Sequence, residues 1–170
     1  MGYLPGKIFK IDSFNSKKGH NSILLKIVVI GSQSAGKSSV LEKIVGKNFL
    51  PTGKGIVTKR PLRLKLFQTD HSTAEISYYD CEKDRIVKQT NLKLEELTEE
   101  IQRANAFRNS HCKFIPNPIN VTISGPKNPN LTLIDFPGVV ANNEDERKMI
   151  INMIKPEIIK DTSIILAVSR

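Results

Sequence analysis

KIVVIGSQSAGKSS, residues 26–39, joins a dense β-branched run to a loop rich in glycine and serine. The loop holds Gly31, four intervening residues, then Gly36, Lys37 and Ser38. That is the spacing of a phosphate-binding loop, G-x-x-x-x-G-K-[ST]. The motif requires a strand before it and a helix after it. ILLKIVVI (23–30) reads as a strand buried on both faces. Beyond the loop, Val40, Leu41, Ile44 and Val45 follow helical spacing, and Gly46 closes the helix. In that setting the backbone N–H groups and the helix dipole draw phosphate oxygens. Gly31 and Gly36 let the chain approach closely, Lys37 reaches the β- and γ-phosphates, and Ser38 offers its hydroxyl to Mg²⁺.

The rest of the chain supplies the sheet. PLRLKLFQ (61–68) alternates, with Leu62, Leu64 and Leu66 on one side, and AEISYYD (74–80) is its expected partner. Tyr78 and Tyr79 read as strand packing with one ring outward. Leu94, Leu97, Ile101 and Ala104 predict a helix over 92–107. VTISG (121–125), LTLID (131–135) and SIILAV (163–168) read as strands, and 144–160 as a helix broken at Pro156. Strands alternating with helices predict an α/β fold. The expected architecture is a P-loop NTPase three-layer fold, a mostly parallel central sheet flanked by helices.

Composition sets outer bounds. The 170 residues are 39% apolar and 25% charged, which fits one globular domain with its own core. No apolar run reaches the about 18 residues of a membrane span, and MGYLPGKIFK lacks a signal-peptide core. Cys81 and Cys112 make no disulfide framework and read as free thiols of a reducing, cytoplasmic compartment. Residues 1–65 carry 13 Lys and Arg against two acids, Asp12 and Glu42, while residues 66–170 carry 13 against 15. A basic half suits a polyanion such as nucleotide phosphate, nucleic acid or anionic lipid. The cluster Lys59, Arg60, Pro61, Leu62, Arg63 reads as solvated charge. His20, His71 and His111 share no ligand spacing, and a His111–Cys112 pair is no zinc site.

Two further stretches choose among P-loop chemistries. LIDFPG ends a strand on Asp135, placed to hold Mg²⁺ through water, with Gly138 offering an N–H to a γ-phosphate. GIVTKRP places Thr58 in a glycine-rich loop, where a hydroxyl completes the Mg²⁺ shell while γ-phosphate is present. A nucleotide kinase fits less well, because no arginine-rich acceptor lid is evident. A third reading is a truncated or degenerate chain that binds nucleotide without turnover; intact Gln33, Lys37, Ser38, Thr58 and Asp135 speak against degeneration.

GSQSAGKSS, LPTGKGIVTKRPL and LIDFPG, in that order, resemble the phosphate loop, first switch and second switch of the dynamin superfamily of large GTPases. ILAVS resembles the strand that follows. Residues 1–22 are polar and read as a loop or N-terminal arm, and the resemblance implies a dynamin-type GTPase domain over 23–170, incomplete at its C-terminal end. It implies that Gly31, Ser32, Ser34, Ala35, Gly36 and Ser39 line the phosphate cradle, and that Gln33 positions the attacking water. It further implies a monovalent cation, K⁺ or Na⁺, held by Ser34 and the backbone around Gly53 and Gly55. Mg²⁺ falls to Ser38, Thr58 and Asp135, with GTP as substrate. Self-association through the GTPase domain is implied too, as is membrane remodelling by regions outside this chain, peripheral at a membrane and without nucleic acid. Phe136 stands where the family usually has Leu, and Thr52 where it usually has Arg. VVANNEDERK lacks the family's usual Thr and basic residue, and no [NT]-K-x-D guanine-reading motif occurs in residues 1–170.

Overall fold

Strand β1, Leu25–Gly31, divides the molecule in two. Ile27 and Val29 point into one apolar cluster and Val28 into another, so both faces of the strand are covered. Only a central strand reads as an unbroken β-branched run for that reason. The computed structural model describes residues 25–46, 49–50, 59–80, 82–106, 114–139, 143–159 and 163–169. The expected arm over 1–22 lies outside them.

Six more strands join β1: β2 Leu62–Gln68, β3 Thr73–Asp80, β4 Arg85–Leu92, β5 Ile119–Gly125, β6 Leu131–Asp135 and β7 Ser163–Val168. The order across the sheet is β4-β3-β5-β2-β6-β1-β7. The α/β class holds, but the sheet is mixed rather than mostly parallel. β1 runs parallel to β6 and β7, and β2 to β5. β2–β6, β3–β5 and β3–β4 are antiparallel. The parallel pairs β6–β1 and β1–β7 flank the glycine loop, and the antiparallel β2–β6 pair joins them to the rest of the sheet.

Helices cover both faces. α1 (Lys37–Val45) and α2 (Leu94–Asn105) bury Leu41, Val45, Leu97, Ile101 and Ala104 against the inward leucines of β2 and isoleucines of β5. α3 (Glu144–Ile158) seals the opposite face with Ile150 and Ile154, over Val28, Ile134 and Phe136. Its lower end is tied down by Glu157, which takes Lys26 of β1 and Arg63 of β2, each at 3.0 Å. The expected break at Pro156 does not occur: the helix runs on to Ile158. Pro156 stands near the C-terminal end, so only one hydrogen bond to an upstream carbonyl is lost, and Ile159 still donates its N–H to Lys155. Among the described residues no helix is long and apolar enough to cross a membrane.

β4 was not anticipated from the sequence. It is an edge strand in which Ile86 is exposed and only alternate residues are half covered. Turn chemistry brings it back on β3: Asp80 accepts from the N–H groups of Glu82 and Lys83, and Asp84 takes φ 49°. Tyr78 and Tyr79 split as expected. Tyr78 packs on the core, and the Tyr79 hydroxyl bonds Asp84 at the surface.

Candidate functional site

Val29 of β1 pairs with Asp135 of β6 in a parallel register. The loop after β1 and the segment after β6 therefore leave the sheet side by side. This is the carboxyl end of parallel strands, where open α/β sheets place ligands. α1 begins at Lys37 with Gly36 as its N-cap, at φ 95°, a conformation that suits glycine. Gly36 has no side chain to cap the helix, and the first turn carries no acid. Among the described residues no side chain caps the first-turn N–H groups of Lys37, Ser38 and Ser39, the kind of helix start that attracts anions.

Within the loop, the Ser32 carbonyl accepts from the Ala35 N–H and from Lys37 Nζ, both at 3.3 Å. Lys37 is nine-tenths buried and arches back over the loop from the first turn of α1. Ser34 holds φ 60°, uncommon for a residue with a side chain. Gln33, Ser34 and Ser39 are exposed, and Ser38 is half-buried.

Asp135 sits at the base of this arrangement, 2% exposed. Its Oδ1 has no hydrogen-bond partner. Burial pushes the carboxyl up to about 7, against the opposing pull of the Lys37 charge and of the Phe136 N–H. A buried carboxylate with an idle oxygen is expensive unless something positive completes it.

The segment beyond Asp135 lies against the loop itself. Val139 donates its N–H to Gly31 at 3.1 Å, and Ser32 and Val139 form a parallel bridge. A Cβ on Gly138 would stand 2.6 Å from Gln33 Cα and 2.7 Å from its nitrogen. Gly31 is equally crowded, its Cβ position lying 2.3 Å from the Val168 carbonyl oxygen. The two glycines thus lock the loop between β7 on one side and the 136–139 segment on the other. Gly138→Ala is expected to push the Gln33 backbone aside, lowering stability by about 1–3 kcal/mol and moving the loop. Thermal melting together with nucleotide affinity checks this; an unchanged affinity would show that the loop tolerates the shift.

A sequence model of the Dynamin family matches residues 27–170. The chain belongs to the dynamin family. It is 42% identical over 149 residues to phragmoplastin DRP1A of Arabidopsis thaliana, covering 84% of this chain and 24% of that protein. It is 41% identical over 165 residues to dynamin of Drosophila melanogaster, covering 93% and 18%. With the mitochondrial dynamin-like GTPase MGM1 of Chaetomium thermophilum it shares 37% over 177 residues, covering 99% and 18%. The chain thus spans about a fifth of the length of these curated relatives.

Among the expected site residues of this dynamin-family chain, Gly31 to Ser39, Asp135 and Gly138 converge at one end of the sheet. Gly53 and Thr58 lie outside the described residues, as do Thr52 and Gly55. Among the described residues no group of three or more His, Cys, Asp or Glu gathers to hold a metal. One expectation is corrected: Arg60 is not solvated charge but 1% exposed. Its position was readable, because residues 60, 62, 64 and 66 share one face of an extended chain, and the leucines there point inward.

Proposed function

We propose that this chain binds GTP with Mg²⁺ and hydrolyses its terminal phosphate, as part of a longer cytoplasmic dynamin-like protein that self-assembles and remodels membranes. The carrying observation is Asp135, whose buried oxygen lacks a partner beside a lysine-bearing glycine loop. The hard oxygens of Asp135 and Ser38 suit Mg²⁺, which typically takes one or two carboxylates and completes its shell with substrate phosphates and water. An ion held there by Asp135 and Ser38 would supply positive charge to offset the negative charge of the nucleotide phosphates.

The protein's own groups do the rest. Lys37 and the first-turn N–H groups of α1 hold the phosphates, within a cradle formed by Gly31, Ser32, Ala35, Gly36 and Ser39. Gln33, exposed at the loop crest, orients the attacking water, and Thr58 joins Ser38 on the metal. Ser34, with the backbone near Gly53, serves a monovalent cation. Gly138 brings the 136–139 segment close enough to the loop to sense the γ-phosphate. Catalysis here is electrostatic positioning with little covalent work. Support for GTP comes from the relative named a GTPase; assembly and membrane action rest on family resemblance alone.

Phosphate release from GTP, with ATP as control and at rising protein concentration, tests this reading. Cleavage of GTP alone, with activity per molecule climbing with concentration, is the expected result. Turnover of ATP equal to that of GTP would overturn the substrate, and flat specific activity the assembly. Gln33→Glu is expected to lower kcat by about 10²-fold while leaving nucleotide affinity within a few-fold. Equal loss of both would remove Gln33 from the catalytic step.

A further inference from the structure

α3 leaves part of its sheet face uncovered. It seals β1 and β6 through Val28, Ile134 and Phe136, while β2, the next strand across, lies at its flank. A groove of about 290 Å³ opens there. Its floor is Ile134, Phe136 and Arg63, and one wall is the flank of α3, with Met149, Asn152 and Met153. Pro61, Pro116 and Pro118 make the other wall. Proline has a fixed φ and no N–H to donate, so this wall is stiff and cannot close the gap by backbone pairing. The methionines opposite are pliant and polarizable, and fit irregular apolar surfaces. Met149 and Asn152 are exposed, so the groove opens to solvent along α3.

The charge in the groove is gathered at one end. Arg63 and Lys65 of β2 point to the α3 face, because Leu62, Leu64 and Leu66 point to the other. Register sets Arg63 in a row with Ile134 and Val28, and Lys65 in a row with Thr132 and Lys26. Glu157 of α3 faces these cations. One of its oxygens accepts from Lys26 and the other from Arg63 Nη2, each at 3.0 Å. A guanidinium carries several N–H donors in a fixed fork. Among the described residues no other acceptor takes those of Arg63, whose side chain is 35% exposed. Lys26, Arg63 and Lys65 against Glu157 leave this end of the groove positive.

We propose that the groove is a binding site for a small aromatic carboxylate, its acid group on Arg63 and its rings between the prolines and the methionines. Volume sets the size. A cavity of about 150 Å³ holds one benzene ring, and about twice that suits two fused rings. Charge sets the sign: the Arg63 fork matches a carboxylate, and Lys26 offsets the nearby Glu157. Methionine sulfur favours a ring over an alkyl chain. Apolar walls with a few convergent polar groups are what small-molecule sites share. The groove is separate from the phosphate-binding loop. None of residues 31–39 lines it, although Ile134 and Phe136 flank Asp135 in the chain. Carboxylate and nucleotide therefore bind together, without competing for a group.

Methionine-methyl NMR reads this groove directly, since Met149 and Met153 both line it. The probe is 2-naphthoate, with 2-naphthylmethanol as its uncharged match, titrated into the longest natural chain that contains these residues. Met149→Leu and Met153→Leu assign the two signals. Both are expected to shift along one binding curve, with a Kd of about 10–500 µM for the acid. The alcohol is expected to bind at least about ten-fold more weakly. Arg63→Gln is expected to bring the acid down to the level of the alcohol while leaving the alcohol unchanged. Asn152→Trp, which fills the groove from an exposed position, is expected to abolish both, and serves where Arg63→Gln does not fold. GDP with Mg²⁺ is expected to leave the naphthoate curve in place. Still signals at millimolar naphthoate, as when another segment or a protein partner occupies the groove, overturn the proposal. So do equal affinities for acid and alcohol, which mean apolar filling alone. Wild-type binding by Asn152→Trp, or displacement by GDP, places the acid elsewhere and overturns it too.

Discussion

Lys37→Ala is expected to remove most GTP turnover, by about 10²–10³-fold, without unfolding the protein. The lysine is nine-tenths buried at the start of α1, and its Nζ reaches the Ser32 carbonyl across the loop. That single hydrogen bond is worth about 1 kcal/mol net, so melting without nucleotide should change little. The loss falls on the ligand. An ammonium held across the loop is a fixed positive charge beside the first-turn N–H groups proposed to take the phosphates, and alanine leaves only N–H dipoles. A second loss follows, because the Lys37 charge restrains the upward shift of Asp135. Without it the carboxyl protonates at still higher pH and holds a divalent ion less well. The decisive pair of measurements is turnover and the rise in melting temperature with GDP and Mg²⁺, which in the wild type follows mass action. Wild-type turnover in Lys37→Ala would sink the phosphate-loop assignment.

Asp135→Asn should separate stability from function in opposite directions. The folded carboxyl sits at about 7 against 3.8 unfolded. Between those values the native state holds the proton that the unfolded chain has released. Stability without metal therefore falls as pH rises from about 4 to about 7, by up to about 4 kcal/mol in all. Asparagine has no such penalty. In the absence of metal, Asp135→Asn is expected to melt higher than wild type at pH 8, the gap closing only below about pH 4, where the wild-type carboxyl is neutral in both the folded and the unfolded state. Mg²⁺ should invert the order of function: wild-type turnover rises with pH toward 7 as the carboxylate becomes available, while the variant stays near background. Equal melting of the two proteins at pH 8 would show that Asp135 is ionised at no cost in the fold. Mg²⁺-dependent turnover by the variant would remove it from the metal site.

Legibility from the sequence followed locality. The β1–loop–α1 unit was readable because every feature lies within about twenty residues: a β-branched run, glycines at fixed spacing, apolar residues at helical period. β6 and its terminal aspartate were readable for the same reason. β4 was not, because an exposed edge strand such as RIVKQTNL buries too little to show a pattern. The antiparallel run of β2 against β6 was hidden, since strand direction is settled by pairing partners and not by the strand itself. Arg60 was misread because charge suggests solvent, although its place on the inward face of an extended chain was visible. For Gly138, the sequence suggested room for a phosphate contact, and the structure adds a close approach to Gln33 that only the assembled sheet creates.

The sheet order also bears on how the protein is made. β1 has two neighbours, pairing Leu25 with Leu131 of β6 and Lys26 with Ser163 of β7. At about 5–20 residues per second of synthesis, a separation of roughly a hundred residues is a wait of about 5–20 s. During that wait β1, apolar on both faces, has no partner on either edge, while the β3–β4 hairpin can already form from adjacent residues. The loop that would hold a nucleotide is thus translated early and shaped late. Nucleotide in the surrounding solution cannot guide the first stages of folding, and a nascent chain of this kind has a long interval in which to need a chaperone.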